Sequence, residues 1–451
     1  MFCHALHSNA RSVLYPAVRL ALSRTTERFL PMSTLSFAAL RDAVAGSHVA
    51  VRSRTTLQPA GGPGDKVFPS TYGVSAGAST KYAIEHHVVD GVPQARVVLG
   101  SVADQANRHE LALLEALEAD DIRFPNPYVD FTIDPDLADL GHLSALEAPH
   151  RLADAIFRDS LLDGTLFRIS DLGRWVTAAT PNSATAVYTA SPAALVFGMW
   201  DSTGPKGGMG SKFQRALVSE IVGLDAQVGV KVGSRMDPLR IEKSAAMVYE
   251  HSDPEQGWTL DPAEARQEKG KPVAVGNKGE LGRPSVINHG NVTPSIDSAA
   301  GGVTISEAVQ TTVLSLAALR KLRFVSSSDG KPLAPGARRE AELAARTALA
   351  AIGVAAIAYQ HDQDYDLRSR CLLVPTAPPV IELVPRDGSA PLIFESSTKA
   401  ARELFAAAAA AAAAVGMGWP IEAARFVPAP KLCDLIKRSR EAAQVVSVGD
   451  D

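Results

Sequence analysis

Val49, Val51, Ser53, Thr55 and Leu57 alternate with Ala50, Arg52, Arg54 and Thr56. That period of two predicts a strand with Arg52 and Arg54 on one face. The two arginines then either meet phosphate on a sheet face or lie on an exposed edge. Arg96–Gly100 reads as a second short strand. Ser101 is placed to cap a helix running to about Ala119, with Leu113, Leu114 and Leu117 as its apolar stripe and Asn107 and Arg108 in its first turns. Pro149–Leu162 predicts another helix, with Leu152, Ile156 and Phe157 inward and Arg151 and Arg158 free. A third is predicted over 306–323, with Val309, Val313 and Leu316 on one stripe. Arg320, Lys321 and Arg323 fall near its end, where cations suit the helix dipole and read as structural. Apolar runs at 352–358, 371–374 and 380–384 predict later strands. Nine consecutive alanines, 406–414, lie inside a helix starting near Ser397, where propensity is high and packing volume small. Short strands alternating with helices indicate an α/β or α+β sandwich. Residues 251–302 show no sustained period and are rich in Gly, Pro, Asn and charge. They predict a projecting arm that reaches a neighbour or a ligand, with disorder as the alternative.

One loop stands out between these elements. Asp201-Ser202-Thr203-Gly204-Pro205-Lys206-Gly207-Gly208-Met209-Gly210-Ser211-Lys212-Phe213-Gln214-Arg215 follows the apolar run Ala194–Trp200. Gly204, Gly207, Gly208 and Gly210 let backbone approach a ligand closely. Lys206, Lys212 and Arg215 have no acid between them. Phe213, Leu217 and Ile221 are spaced four apart, which predicts a helix after the loop. A glycine-rich loop feeding a helix N-terminus offers N–H groups to an anion, usually phosphate. A nucleotide P-loop needs Gly-Lys-Ser/Thr, and here the order is Gly210-Ser211-Lys212. The dinucleotide fingerprint fails because Phe213 stands in place of the third glycine. A basic loop suited to a polyanion backbone remains, against the plain alternative of a mobile surface loop.

Composition narrows the field. The chain has 451 residues, 46% of them hydrophobic, enough for one large or several ordinary domains. Cys3, Cys371 and Cys433 lie far apart and suggest neither a disulfide framework nor a zinc site. No apolar stretch of about 18 residues is free of charge or breakers, so no membrane span is expected. The net charge of −4 argues against a generally basic nucleic-acid binder. Local patches at 203–215, 266–283 and 425–440 are nonetheless basic, which fits a polyanion held on one face. Arg11, Arg19, Arg24 and Arg28 with a single acid, Glu27, give residues 1–32 a transit-peptide look. Met32-Ser33-Thr34-Leu35 also reads as a natural start, and the extension is set aside from the fold.

Several stretches together resemble a known family. They are Asp104-Gln105-Ala106-Asn107-Arg108, Ala148-Pro149-His150-Arg151-Leu152-Ala153-Asp154-Ala155, and Phe197-Gly198-Met199-Trp200-Asp201-Ser202-Thr203-Gly204-Pro205. Lys212–Ile221, Gly301-Gly302-Val303-Thr304, Gln310–Arg320 and Leu367-Arg368-Ser369-Arg370-Cys371 complete the set. In this order, over roughly residues 45–385, the chain resembles the type I-U (I-G) CRISPR-associated backbone subunit of the Cascade surveillance complex, in the RAMP superfamily. The resemblance implies an α+β fold: a modified RRM-like (ferredoxin-like) core over 33–400 with large insertions, followed by an alanine-rich helical region over 401–451. It implies a non-catalytic cytoplasmic protein without cofactor or metal, assembled head-to-tail with copies of itself and other Cascade subunits along a CRISPR RNA. Target DNA would pair with the guide, the protein gripping backbone and shape. A head-to-tail interface that does not close gives a helical filament. The RRM aromatic motif that stacks bases is not found, and aromatic content is 6%. Phosphate contacts are therefore expected to dominate, with a steep salt dependence.

The first candidates for RNA contact are Lys206, Gly207, Gly208, Lys212 and Arg215, then Arg52 and Arg54, then Asn107 and Arg108. Asn107 could equally cap or pack within its helix. Arg151 and Arg368 are weaker because each could sit in an internal salt bridge. The alternative function is an RNA-processing endoribonuclease of the same superfamily, with His86 and His87 as acid/base groups. No third partner for them is evident, and surface or structural histidines is the plainer reading. Asp201 precedes Ser-Thr-Gly and fits a turn-stabilising side-chain bond better than a catalytic carboxylate. His361-Asp362-Gln363-Asp364-Tyr365-Asp366 looks like a metal loop. Leu367 and Leu373 stand where a calcium loop needs Gly and Glu, so a solvated acidic turn is preferred.

Overall fold

The computed structural model describes residues 33–75, 77–89, 91–204, 210–276 and 281–447. The fold is α+β, built on a curled antiparallel sheet. Its strands are β1 (His48–Pro59), β2 (Ile84–Val89) and β3 (Val92–Gly100), then β4 (Leu217–Leu224) after helix α1 (Val102–Glu118). β5 (Ala308–Ser315) precedes the long helix α2 (Pro335–His361), and β6 (Leu372–Pro375), β7 (Val380–Pro385) and β8 (Leu392–Glu395) follow it. The spatial order is β2-β3-β4-β5-β1. Beyond β1 lie β6, along Leu57–Pro59, and β7, along His48–Arg52, with β8 outside β7. Without the β2–β3 hairpin, the path β1-α1-β4-β5-α2-β6/β7 is a β-α-β-β-α-β connection with its strands side by side as fourth, first, third and second.

The strand at 48–59 and its alternation are as predicted. Val51, Ser53, Thr55 and Leu57 are buried on one face, and Arg52, Arg54 and Thr56 turn to the other. β1 is a central strand, so the edge alternative for the two arginines falls. α1 also begins and ends as predicted: Ser101 accepts from the Asp104 N–H, and Ala119 caps the end.

Three predicted helices or strands are corrected. The segment after the glycine loop is strand β4, and Phe213 lies in a separate two-residue strand, Lys212–Phe213. Positions 217 and 221 are four apart, which fits a period of two as well as 3.6. The inward Ser219 between them hid the alternation. For the same reason 306–323 is not one helix. It is β5 followed by a short helical turn, Leu316–Leu319. The inward positions of β5 include Gln310 and Thr312. Both are buried and hydrogen-bonded: the Gln310 amide donates to the Gln105 and Gln360 side chains (2.9 and 2.8 Å), and the Thr312 and Ser219 hydroxyls lie 2.7 Å apart. The run at 352–358 is the middle of α2, apolar all round because it is buried all round.

By length and composition α2 could cross a membrane, yet it is the core helix of the sandwich. Gly353 brings it against the fully buried Leu314 of β5. Arg320 is structural, donating to the carbonyls of Ala43, Val44 and His48. The helix over the alanine run, α3 (Thr398–Ala414), is capped by Ser397 and lies along α2, burying Ala401, Leu404, Phe405, Ala408 and Ala412. The runs at 371–374 and 380–384 are strands, as predicted.

Pro149–Leu162 is the fourth correction. A 3-10 turn at Arg151–Ala153 leads to one helical turn, Ala155–Arg158, and then a strand, Ser160–Leu162. Arg151 has φ 54, and Asp154 is an extended N-cap, so the helix cannot run through them. That strand belongs to a second, five-stranded sheet with 128–130, 142–144, 165–166 and 425–428. Phe426 fills its core edge-on against Phe157 and Phe167. Within the predicted arm, short antiparallel pairs join 249–250 to 258–259 and 267–268 to 271–272, and 231–235 pairs with 292–297 at its base. The Asp237 carboxylate gathers this base, accepting from the N–H groups of Leu239, Ile241 and Gly290.

Candidate nucleic-acid interface

The glycine loop is flanked by a two-stranded ribbon, Met199–Trp200 against Lys212–Phe213. Met199, Asp201, Ser211 and Phe213 point inward and are buried, whereas Trp200 and Lys212 form the outward pair. The neck is tight. A Cβ on Gly204 would fall 2.6 Å from the Gly210 Cα, and one on Gly210 would fall 2.5 Å from the Asp201 carbonyl. The Asp201 carboxylate accepts from the Thr203 N–H (3.2 Å) and from Arg168 (2.7 Å), and Arg168 also donates to the Thr203 hydroxyl (2.8 Å). This is the turn-stabilising role predicted for Asp201. Lys206, Gly207 and Gly208 lie outside the described residues. Since β4 is a strand, the loop does not lead to a helix N-terminus, and the predicted helix-end phosphate cradle is corrected to a β-hairpin rim.

Lys212 and Arg215 are exposed at this rim, and neither has an ion-pair partner among the described residues. The ribbon runs on into β4. There Val218 lies in one row with Val313 of β5 and Arg52 of β1, and the next outward row is Glu220, Thr311 and Arg54. α1 and α2 cover the opposite face, leaving Val218, Arg54 and Thr56 exposed here. Arg52 is bound through its Nε to the Glu382 carboxylate of β7 at 2.6 Å, so its charge is already paired. Arg54 has no such partner among the described residues. Burial raises the Glu220 carboxyl above its ordinary value, aided by the Glu85 charge and opposed by Arg96 and His87.

The remaining candidates divide differently. Arg151 is buried and grips Glu110 of α1 with two 2.6 Å bonds, while its third nitrogen donates to the Gly198 carbonyl at 3.0 Å. The internal salt bridge foreseen for it is what the structure contains; the free Arg151 of the helical reading is corrected. Arg158, also expected free, pairs with Asp159. Burial pushes the Glu110 carboxyl up, against the pull of Arg151 and Arg215. Gly198 (φ 86) takes the Arg215 side chain against its Cα, where a Cβ would meet Arg215 Cγ at 2.8 Å. Arg151 therefore anchors the strand before the loop, and Arg215 lies over that anchor.

Asn107 is exposed on α1. Arg108, on the same helix, donates to the Asp366 and Leu367 carbonyls (3.2 and 2.8 Å) and lies 3.3 Å from Asp104. Arg368 donates to the Leu99 carbonyl at 2.8 Å. Arg108 thus ties the 366–371 turn to α1 and Arg368 ties it to the end of β3, so both are engaged within the fold rather than at the hairpin rim. Over 362–367, Asp362, Asp364 and Asp366 are exposed while Tyr365 and Leu367 are buried. Among the described residues no group of three His, Cys, Asp or Glu side chains is arranged to hold a metal. His86 is exposed on the edge strand β2, and His87 contacts Glu85 at 2.8 Å.

Two features escaped sequence reading. One is Trp200, whose signal was its place as the last residue of the apolar run before the loop. The other is a buried polar layer between sheet and helices, which includes His109 and His361. Burial lowers their imidazoles to about 4 and about 3.

Residues 51–228, less than half of the chain, match the family model described as CRISPR-associated protein GSU0053 (Cas_GSU0053). No curated protein matches the chain. The matched stretch runs from β1 through the hairpin rim and β4. It holds Arg52, Arg54, Asn107, Arg108, Arg151, Lys212 and Arg215, and it supports a CRISPR-associated protein.

Proposed function

We propose that the protein is a non-catalytic, CRISPR RNA-binding backbone subunit of a type I-U (I-G) surveillance complex, assembled head-to-tail in the cytoplasm with other copies and other subunits. The observation that carries this reading is a rim where Lys212 and Arg215 are exposed and in no ion pair among the described residues, opening onto a sheet face with Arg54, inside the stretch that matches a CRISPR-associated family. The β-α-β-β-α-β connectivity supports the RRM-like, RAMP-superfamily core. A guide RNA would lie along the rim with its phosphates on the cations, leaving its bases to pair with target DNA. The ribbon of 231–235 with 292–297 supports assembly. It exposes Val232 and Ile296 by 70% and 72%, a cross-strand pair that a neighbouring copy would cover.

The test is binding of a guide-length RNA over a salt series, with the RNA read on a gel afterwards and particle mass taken by light scattering. Lys212→Ala with Arg215→Ala should lower affinity and reduce the salt slope by about 1.4, since each phosphate contact on a single strand contributes about 0.7. An unchanged slope removes the assignment. Shortened RNA would favour the endoribonuclease reading and make His86→Ala and His87→Ala the next variants.

A further inference from the structure

Trp200 is 49% exposed, on a ribbon whose inward residues are all buried. Single exposed apolar residues are ordinary. This ring differs in its setting. It stands directly opposite Lys212 in the register, with the Lys212 ammonium 5.1 Å from its centroid. The ribbon beneath is fixed by Met199 and Phe213 in the core and by the tight glycine neck. An indole on a rigid strand, with a cation on one side and ring surface left open, has the two parts that single-stranded nucleic acid needs: a π-face for a base and a charge for the adjoining phosphate. Protein partners would use the same ring, but the neighbouring outward groups are Lys212 and Arg215, neither held in an ion pair among the described residues, which favours a polyanion.

We infer that Trp200 is a base-stacking platform for single-stranded RNA, taking one unpaired base of any identity while Lys212 meets the phosphate next to it. The inference rests on the RNA-binding reading above and revises the expectation that aromatic stacking contributes little. It is independent of sequence readout, because every base has a π-face.

The experiment compares the full-length protein on two strands of equal length, an oligoadenylate and an abasic ribose-phosphate strand, each over a salt series. The wild type should prefer the base-bearing strand. Trp200→Ala should lose roughly 5- to 150-fold in affinity for that strand, with little loss on the abasic strand and an unchanged salt slope. Trp200→Phe should keep most of the preference, and its folding is checked by the thermal transition. Lys212→Ala should change the salt slope instead. A wild type that binds both strands equally, or a Trp200→Ala variant that keeps the wild-type ratio, overturns the platform while leaving RNA binding in place. A wild type that binds neither strand overturns both.

Discussion

Arg151 shows how little a residue's type says about its use. Its sequence neighbourhood made it a candidate RNA contact, and its charge is spent inside the protein. The Arg151–Glu110 pair is 7% and 2% exposed, so removing one member strands the other in a low-dielectric setting. Arg151→Met should cost about 3–5 kcal/mol in urea unfolding. Replacing both, Arg151→Met with Glu110→Leu, should recover most of that loss, because neither charge is then left unpaired. If the double variant is as unstable as the single, the hydrogen bond to the Gly198 carbonyl, rather than the ion pair, is the important contact. The contrast with Lys212 is one of surroundings: Lys212 has a ring beside it and open solvent, and Arg151 has a carboxylate and a carbonyl.

At the scale of elements, the misread segments share a cause. β4 and β5 carry Ser219, Gln310 and Thr312 on their inward face, where sequence patterning expects apolar residues. Each is paired within the polar layer, so burial costs little, and the alternation that marks a strand disappears from the sequence. β1 was legible although it too buries Ser53 and Thr55, because Arg52 and Arg54 mark its other face, and α1 was legible through its Ser101 cap and its leucines. The exposed rim was legible in part as well. Exposed cations next to glycines can be seen in a sequence, whereas ion pairs such as Arg52 with Glu382 join residues far apart in it. The α2–β5 contact gives a test of this packing. Gly353→Ala gains helix propensity of about 1 kcal/mol. Its new Cβ, however, would meet the Leu314 side chain at 2.7 Å, and Leu314 is fully buried. Overpacking costs about 1–3 kcal/mol, so the variant should unfold at lower urea than the wild type. A rise in the midpoint would mean that Leu314 can rotate away.

For the whole molecule, the polar layer that binds helices to sheet also ties stability to pH. His361 faces the Ser53 and Thr55 hydroxyls of β1 and the Ser396 hydroxyl (3.3, 3.5 and 3.0 Å), and the His109 ring binds the Gln105 carbonyl at 2.6 Å. Neither has a carboxylate partner among the described residues. Burial holds the two imidazoles at about 4 and about 3, below the value of 6.5 for a free histidine. Between 6.5 and those values the unfolded chain binds more protons than the folded one, so acid favours unfolding. At pH 5 each histidine should have removed about 2 kcal/mol relative to neutral pH. Asp130, held at about 2, acts only below the ordinary aspartate range and does not enter this window. Glu110, whose carboxyl burial raises, works in the opposite sense. Urea midpoints taken from pH 7.5 to 5 should therefore fall steeply in the wild type and much less in a His109→Asn, His361→Asn double variant. Equal slopes in the two proteins would mean that the histidines charge without opening the layer, and that the sheet and its helices separate for another reason.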